Sequence, residues 1–94
     1  MENNEIIIDC SEINNKKELH EQFKTKLNFP EYYGMNWDAF WDCITEINNL
    51  PNKLIMKNWL QLKLKLPKDT NIFEGIISDF KEENPQSNFN IEYN

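Results

Sequence analysis

Three short segments with β-strand character alternate with longer helix-like stretches, and this alternation limits the folds open to the chain. The segments are EIIIDC at residues 5–10, KLIMKN at 53–58 and FNIEY at 89–93. Apolar residues, many of them β-branched or aromatic, dominate each segment, and Asn, Ser or Pro lie at their ends, as is typical of strands. Because strands separated by helices need crossover connections, the sequence predicts an α/β fold with a small, mostly parallel sheet covered by helices.

The first helix is predicted from the stretch NKKELHEQFKTKLNF at residues 15–29. Leu19, Phe23 and Leu27 recur every four residues there, with charged residues between them, which indicates one apolar stripe on a surface helix. His20, the only histidine in the chain, is placed by this reading on the exposed side of the helix. No cluster of carboxylates lies near it in sequence, so we predict no catalytic role for it.

A second surface helix is predicted at residues 71–84, where Asn71 and Glu74 have the spacing of a capping box and Pro85 ends the helix. The preceding segment, residues 59–66, is ambiguous. Leucines alternate there with Gln and Lys, and this period of two favours a strand, although a short helix through Trp59, Leu62 and Leu66 also fits.

The length and composition indicate one folded domain over residues 1–94. The chain has 94 residues, 39% of them hydrophobic and 13% aromatic, which is enough for one core but not for two. It contains neither a secretory signal nor an apolar run of the roughly 20 residues that would span a bilayer, so we expect a cytoplasmic protein without a membrane partner. Cys10 and Cys43 have no metal-ligand spacing and are predicted to be buried free thiols.

The charge pattern favours a cationic protein partner over nucleic acid. The formal net charge is -6, whereas non-specific nucleic-acid binding requires a basic surface. Residues 31–46 carry four acidic residues and no base, and residues 53–68 carry five lysines and no acid. Such a separation produces a polarised field that can orient an approaching partner. The lysines alternate with leucines and are best explained as the solvated side of a half-buried element.

The segment YYGMNWDAFWDC at residues 32–43 contains the most informative pattern. Asn36 is the predicted N-cap of a helix that continues to about Ile47. At about 100° per residue, the helix separates into two sides with Trp41 at their boundary. The core sector contains Trp37, Phe40, Ile44 and Ile47, with Cys43 beside it, and the opposite sector contains Asp38, Asp42, Thr45 and Glu46.

Asp38 and Asp42 allow several interpretations. Two like charges four residues apart destabilise a helix slightly, and a solvated face is the simplest explanation. Tyr32, Tyr33 and Trp41 place aromatic rings beside these acids, however, and aromatic residues around a charged anchor are typical of binding hot spots. Adjacent carboxylates on one helix face do not flank a scissile bond as glycosidase carboxylates do. We therefore predict a partner-binding site, with no catalytic residue, no cofactor and no metal.

The stretch LNFPEYYGMNWDAFWDCITE resembles the barstar family, the intracellular inhibitors of barnase-type ribonucleases. The hallmark of that family is Pro-Glu-Tyr-Tyr-Gly followed by Asn-x-Asp-Ala-x-Trp-Asp-Cys-x-Thr, which this chain matches from Pro30 to Thr45. Weaker similarity covers ELHEQFKTKL, LIMKNW and FKEE. The resemblance implies a three-stranded parallel sheet packed with about four helices.

The resemblance also implies a mechanism, in which the helix and its preceding loop occlude the cationic active site of a ribonuclease. Asp42 would mimic a phosphate group through charge-assisted hydrogen bonds, Asp38 would pair nearby, and Tyr32 and Trp41 would exclude water. The partner-binding residues expected on this basis are Tyr32, Asn36, Asp38, Trp41, Asp42, Thr45 and Glu82. Tyr33, one of the aromatic residues beside the acids, and Glu46, at the edge of this surface, are expected to contribute as well. The chain departs from the family pattern at Met35, Trp37, Glu46 and Ile47, where the family has an acid, Leu, Gly and Trp. These departures leave the identity of the nuclease open.

The expected function is therefore that of an inhibitor, or immunity protein, for a barnase-type ribonuclease or a related toxin nuclease. The protein is expected to be a monomer when free and not to be an enzyme. The alternative is a barstar-like adaptor that binds another basic protein without inhibiting a nuclease. A small carboxylate enzyme is the third and least favoured interpretation.

Overall fold

A computed structural model of the protein describes residues 4–46 and 50–94. It contains a three-stranded sheet with strands in the order β1 (Glu5–Asp9), β2 (Lys53–Lys57) and β3 (Asn90–Tyr93). Both strand pairs are parallel, and the register aligns Ile8 with Met56 and Met56 with Tyr93. The predicted α/β fold with a small parallel sheet is confirmed. The predicted first strand is one residue too long, because Cys10 begins a short 3-10 helix over Cys10–Glu12.

One face of the sheet contributes to the core and the other carries charged residues. Ile8, Leu54 and Met56 are completely buried. On the opposite face, the Lys53 ammonium lies 3.2 Å from the Glu92 carboxylate and 4.0 Å from that of Glu5. These exposed ion pairs add little stability, so burial of the apolar face determines which side of the sheet the helices cover.

Within the described residues, four α-helices accompany the strands: α1 (Lys16–Lys26), α2 (Trp37–Glu46), α3 (Trp59–Lys65) and α4 (Pro67–Glu83). The N-terminus of α1 is capped by Asn15, whose Oδ1 accepts from the Glu18 amide at 2.9 Å. Leu19 and Phe23 of the predicted apolar stripe are completely buried in α1, and Leu27, which follows it, is 4% exposed. The helix ends three residues before the end of the predicted stretch, because Leu27 terminates it.

The segment at residues 59–66, for which the sequence left strand and helix open, forms the helix α3. The strand favoured by its period of two does not form. The leucines do not share one face: Leu62 is buried, whereas Leu60 and Leu64 are 67% and 77% exposed. The helix is instead fixed by polar contacts with α4. Trp59 Nε1 donates to Glu74 Oε2 at 3.0 Å, and Lys63 Nζ donates to the same oxygen at 2.9 Å.

The last helix begins four residues before the predicted start. Pro67 occupies its first turn, where the missing backbone N–H of proline costs nothing. The predicted capping box of Asn71 and Glu74 is therefore wrong, because both residues lie inside α4 and Glu74 binds Trp59 and Lys63 instead. The predicted C-terminal end is confirmed: α4 ends at Glu83, two residues before Pro85.

The core is rich in aromatic rings. Phe23, Phe40 and Phe73 are completely buried, with ring centroids 4.7 to 5.7 Å apart. Cys10 and Cys43 are both buried and free, as predicted. Burial raises the pKa of the Cys10 thiol to about 12, so Cys10 is a packing residue rather than a nucleophile.

Candidate functional site

The loop at residues 30–36 leads into α2, and the side chain of Asn36 fixes the junction between them. Its Oδ1 accepts a 2.7 Å hydrogen bond from the Ala39 amide, and its Nδ2 donates to the Gly34 carbonyl at 3.2 Å. The predicted N-cap is confirmed. Because both polar ends of Asn36 are used within the protein, this residue first of all sets the direction in which α2 leaves the loop.

The inner side of α2 packs against the core as predicted from its angular pattern. Phe40 is completely buried, Ile44 is 1% exposed and Cys43 is 9% exposed. Trp37 is half-buried, and its indole N–H donates to Asp69 of α4 at 3.0 Å. Ile47, predicted for the same sector, lies outside the described residues.

The outer side of α2 presents three exposed carboxylates at intervals of four residues, from Asp38, Asp42 and Glu46. Throughout residues 4–46 and 50–94, none of the three accepts a hydrogen bond or forms an ion pair. Like charges at this spacing repel one another. This side of the helix therefore contains negative charge that the described part of the protein does not neutralise.

Tyr32 lies beside these acids and is 87% exposed. A shallow groove of about 210 Å³ separates its loop from α2, and its lining includes Tyr32, Asp42 and Glu46. The structure thus brings an exposed phenol ring and two of the three outer carboxylates around one depression. Asp38 lies one turn before Asp42 and does not line this groove.

Tyr33 differs from Tyr32, because it is only 5% exposed. Its hydroxyl lies 2.6 Å from Nδ1 of His20, and its ring centroid lies 4.9 Å from that of Phe29. Burial raises the pKa of the Tyr33 hydroxyl far above its usual value. Tyr33 therefore supports the loop from inside, and only part of its surface reaches the groove.

The prediction that His20 lies on the exposed side of α1 is wrong, since the side chain is completely buried. The imidazole packs between the hydroxyl of Tyr33 and the ring of Trp37, whose centroid is 4.5 Å away. Burial, aided by the charge of Lys16 and opposed by that of Asp69, lowers the pKa of His20 to about 4. The neutral imidazole thus braces both the loop and the first residue of α2.

Trp41 and Thr45 lie at the side of α2 that faces α4. Trp41 is half-buried, with its ring centroid 6.5 Å from that of Phe80 in an edge-to-face arrangement. The Thr45 hydroxyl donates back to the Trp41 carbonyl at 2.8 Å, so its hydrogen is used within the helix. Thr45 also lines a second groove, of about 350 Å³, with Asn84 and Asn88. Glu82 is exposed in the last turn of α4.

Two supporting residues were not identified from the sequence: His20 and Asp69. A signal existed for His20, because it follows buried Leu19 and precedes Phe23 by three residues, a spacing that widens the apolar stripe of α1. Nothing in the sequence indicated the bond between Asp69 and Trp37, which are 32 residues apart.

The described residues contain neither a metal-binding cluster nor a membrane-spanning helix. No three His, Cys, Asp or Glu side chains among residues 4–46 and 50–94 lie together in a way that could hold a metal ion. Within the same residues, no helix is both long enough and apolar enough to cross a membrane.

Comparison with known proteins identifies a family and a relative for this chain. A Bacillus subtilis (strain 168) protein named "Putative ribonuclease inhibitor YrdF" is 50% identical over 54 residues, which are 57% of this chain and 59% of that protein. The alignment therefore spans about three fifths of the length of this relative. The family model described as "Barstar (barnase inhibitor)" matches residues 3–94. The chain belongs to the barstar family of barnase inhibitors.

Proposed function

We propose that this protein inhibits a barnase-type ribonuclease, or a related toxin nuclease, by inserting α2 and the loop before it into the cationic active site. It acts as an immunity protein and performs no catalysis itself. The observation that carries the proposal is the set of exposed carboxylates on α2 that have no partner among residues 4–46 and 50–94, in a chain that belongs to a family of barnase inhibitors.

The chemistry of a ribonuclease active site explains why carboxylates serve this purpose. A site that holds a phosphodiester is lined by cationic side chains, and a carboxylate can accept the same charge-assisted hydrogen bonds as a phosphate oxygen. Asp42 is the proposed phosphate mimic, because it is exposed and lies at the groove beside Tyr32. Asp38, one turn earlier in α2, forms an ion pair with another cationic side chain of the nuclease, next to those that Asp42 binds.

The aromatic residues are proposed to exclude water around this charged anchor. Tyr32 offers a ring that is 87% exposed, and half-buried Trp41 presents one edge beside the acids while its other side packs towards Phe80. Charged hydrogen bonds strengthen when surrounding rings remove water from them. Asn36, Thr45, Glu46 and Glu82 complete the proposed contact set, whereas Tyr33 contributes by holding the loop.

Rigidity supports the same proposal. The loop is held from below by the contact between Tyr33 and His20, and α2 is held by the Asn36 cap and by the bond between Trp37 and Asp69. A surface that is already fixed before binding loses little conformational entropy on association. The proposed site consequently needs no ordering step before it meets the nuclease.

The test is a titration of barnase activity against an RNA substrate with increasing amounts of the purified protein. We expect activity to fall linearly to zero at one equivalent of inhibitor. The Asp42→Asn variant should inhibit at least about 30-fold less tightly, the effect of losing a hot spot of about 2 kcal/mol.

The matched control is Glu12→Gln, which removes one exposed charge from a different groove, lined also by Glu18 and Lys57. It should inhibit like the parent protein. Binding to barnase without loss of nuclease activity would replace the proposal by the adaptor alternative. Equal inhibition by Asp42→Asn and the parent would refute the anchor assignment.

A further inference from the structure

We propose that Glu46 is a specificity residue, which restricts tight binding to nucleases that present an arginine to the groove between Tyr32 and α2. This inference rests on the proposed function and adds a partner side chain of defined chemistry to it. Its basis is the location of Glu46 at a groove that also contains Asp42 and two tyrosine rings.

The groove has an apolar wall and an acidic edge. Pro30, Tyr32 and Tyr33 form the side towards the loop, and Ala39, Cys43 and the two carboxylates form the side towards α2. No basic residue is among its lining residues. Its volume of about 210 Å³ is enough for the end of one long side chain but not for a folded segment of a partner.

The shape and charge of this groove favour arginine over lysine. A guanidinium group is flat, stacks on aromatic faces and donates several hydrogen bonds in one plane, so it can bind a tyrosine ring and two carboxylates together. A lysine ammonium is a more strongly hydrated point charge without a stacking surface. Tyr32 supplies the exposed ring, and Asp42 and Glu46 supply the acceptors.

Glu46 also acts against the wrong partners. When a nuclease covers the groove without supplying a cation, Glu46 loses water and remains beside Asp42 with no compensating charge, which is unfavourable. Specificity is a difference between affinities, and an unpaired carboxylate lowers the affinity for every partner that lacks the arginine. The glycine that the family pattern has at this position would not discriminate in this way.

The experiment uses N-acetyl-arginine methylamide as the probe and N-acetyl-lysine methylamide as its control. Each is titrated into the isotope-labelled protein while the backbone amide signals of Gly34, Ala39 and Glu46 are followed by NMR. We expect the arginine probe to bind at least about fivefold more tightly than the lysine probe. Glu46→Gln should abolish this preference, and the matched variant Glu12→Gln should retain it. Equal binding of both probes, or an arginine preference unchanged in Glu46→Gln, would overturn the inference.

The barnase titration described above separates this result from the proposed function. If arginine binds selectively but barnase is not inhibited, the Glu46 subsite stands and the inhibitor proposal fails. If barnase is inhibited but the two probes bind equally, the inhibitor proposal stands and the role of Glu46 fails.

Discussion

The three tryptophans of this protein lie in two kinds of environment. Trp37 and Trp59 each donate their indole N–H to a carboxylate of α4, from Asp69 and Glu74 respectively, at 3.0 Å. Trp41 packs on Phe80, but among the described residues its indole N–H has no acceptor. Asp42 follows Trp41 directly, and its carboxylate is exposed and unpaired within the same part of the chain.

The difference separates residues that stabilise the fold from residues that are available to a partner. At the α3–α4 contact, hydrogen bonds from Lys63 and Trp59 lower the pKa of Glu74, so that acid is satisfied internally. On α2 the acids receive no such partner from the described residues. Glu74 is therefore used by the fold, whereas the carboxylates of α2 are exposed to water and, in the function that we propose, accessible to a cationic partner.

The largest expected effect concerns Trp37, one of the two tryptophans whose indole N–H is hydrogen-bonded within the protein. Trp37→Ala removes a ring that packs against His20, Phe23, Phe40 and Phe73 and also the bond to Asp69. We expect the free energy of unfolding to fall by about 3 kcal/mol, as for large-to-small changes of aromatic residues. Urea denaturation measures this directly. A loss below about 1 kcal/mol would show that Trp37 is not part of the structural set.

The second prediction concerns His20, which supports the loop at residues 30–36 through its contact with the Tyr33 hydroxyl. The pKa of His20 is lowered to about 4 in the fold, against about 6.5 in the unfolded chain. Between these two values the unfolded state binds more protons, so stability rises with pH across this window. The contribution of His20 is fully present above about pH 6.5 and is lost as the pH falls towards 4.

The size of this loss is on the order of 3 kcal/mol between pH 6.5 and pH 4, from the difference in pKa. Urea denaturation at several pH values in this range measures it. The variant His20→Gln removes the titrating group and should flatten this part of the stability profile. An equally steep profile in His20→Gln would assign the acid sensitivity to other groups.

The third prediction compares two substitutions that each remove one negative charge, Asp42→Ala and Glu74→Gln. Asp42→Ala should weaken barnase binding by about 2 kcal/mol or more while leaving the free energy of unfolding within about 0.5 kcal/mol of the parent. Glu74→Gln should do the opposite, with a loss of stability of about 1 kcal/mol from its bonds to Lys63 and Trp59 and unchanged binding. Calorimetry and urea denaturation of both variants provide the four values. A large stability loss in Asp42→Ala would remove the distinction between the two regions.

Asp38→Ala is expected to have a smaller effect on binding than Asp42→Ala. Asp38 lies in the first turn of α2 and outside the groove that Tyr32 and Asp42 share. We expect a loss of about 1 kcal/mol in barnase binding, measured by the same calorimetry. A larger loss for Asp38→Ala than for Asp42→Ala would exchange the two roles.

The smallest effect concerns the rate of association. The acidic side of α2 should attract a cationic cleft over a distance, so raised salt should slow association more than it accelerates dissociation. The barnase–barstar pair is a standard example of such steering, and the expectation is carried over from the family. Stopped-flow mixing at several salt concentrations measures both rates, and an on-rate that does not respond to salt would argue against steering.

The sequence predicted the elements and the orientation of α2 correctly where local patterns determine them. Asn36 satisfies one orphan amide of α2, that of Ala39, and the 3.6-residue period buries Phe40 and Ile44, so both features depend on local rules. The leucine alternation in residues 59–66 was misleading, because contacts of Trp59 and Lys63 with Glu74 determine the conformation there. Glu74 in turn could not be assigned from its capping-box spacing, since Pro67 starts α4 earlier.

Long-range contacts limited the prediction of the site. Tyr33 was grouped with Tyr32 from its position in the sequence, yet a residue 13 positions away, His20, binds its hydroxyl inside the core. The bond between Trp37 and Asp69 joins two helices with no shared pattern. The exposed acids and Tyr32 were predictable from helical geometry and the family motif, whereas the residues that hold them in place required the three-dimensional structure.

The most direct test of the central claim is competition for the nuclease active site. Binding of this protein to barnase is measured by calorimetry at increasing concentrations of a mononucleotide product of RNA cleavage. If α2 occupies the phosphate-binding site, the apparent affinity for the protein falls in proportion to the occupancy of that site by the nucleotide. An affinity that stays constant while the nucleotide saturates the nuclease would contradict the account.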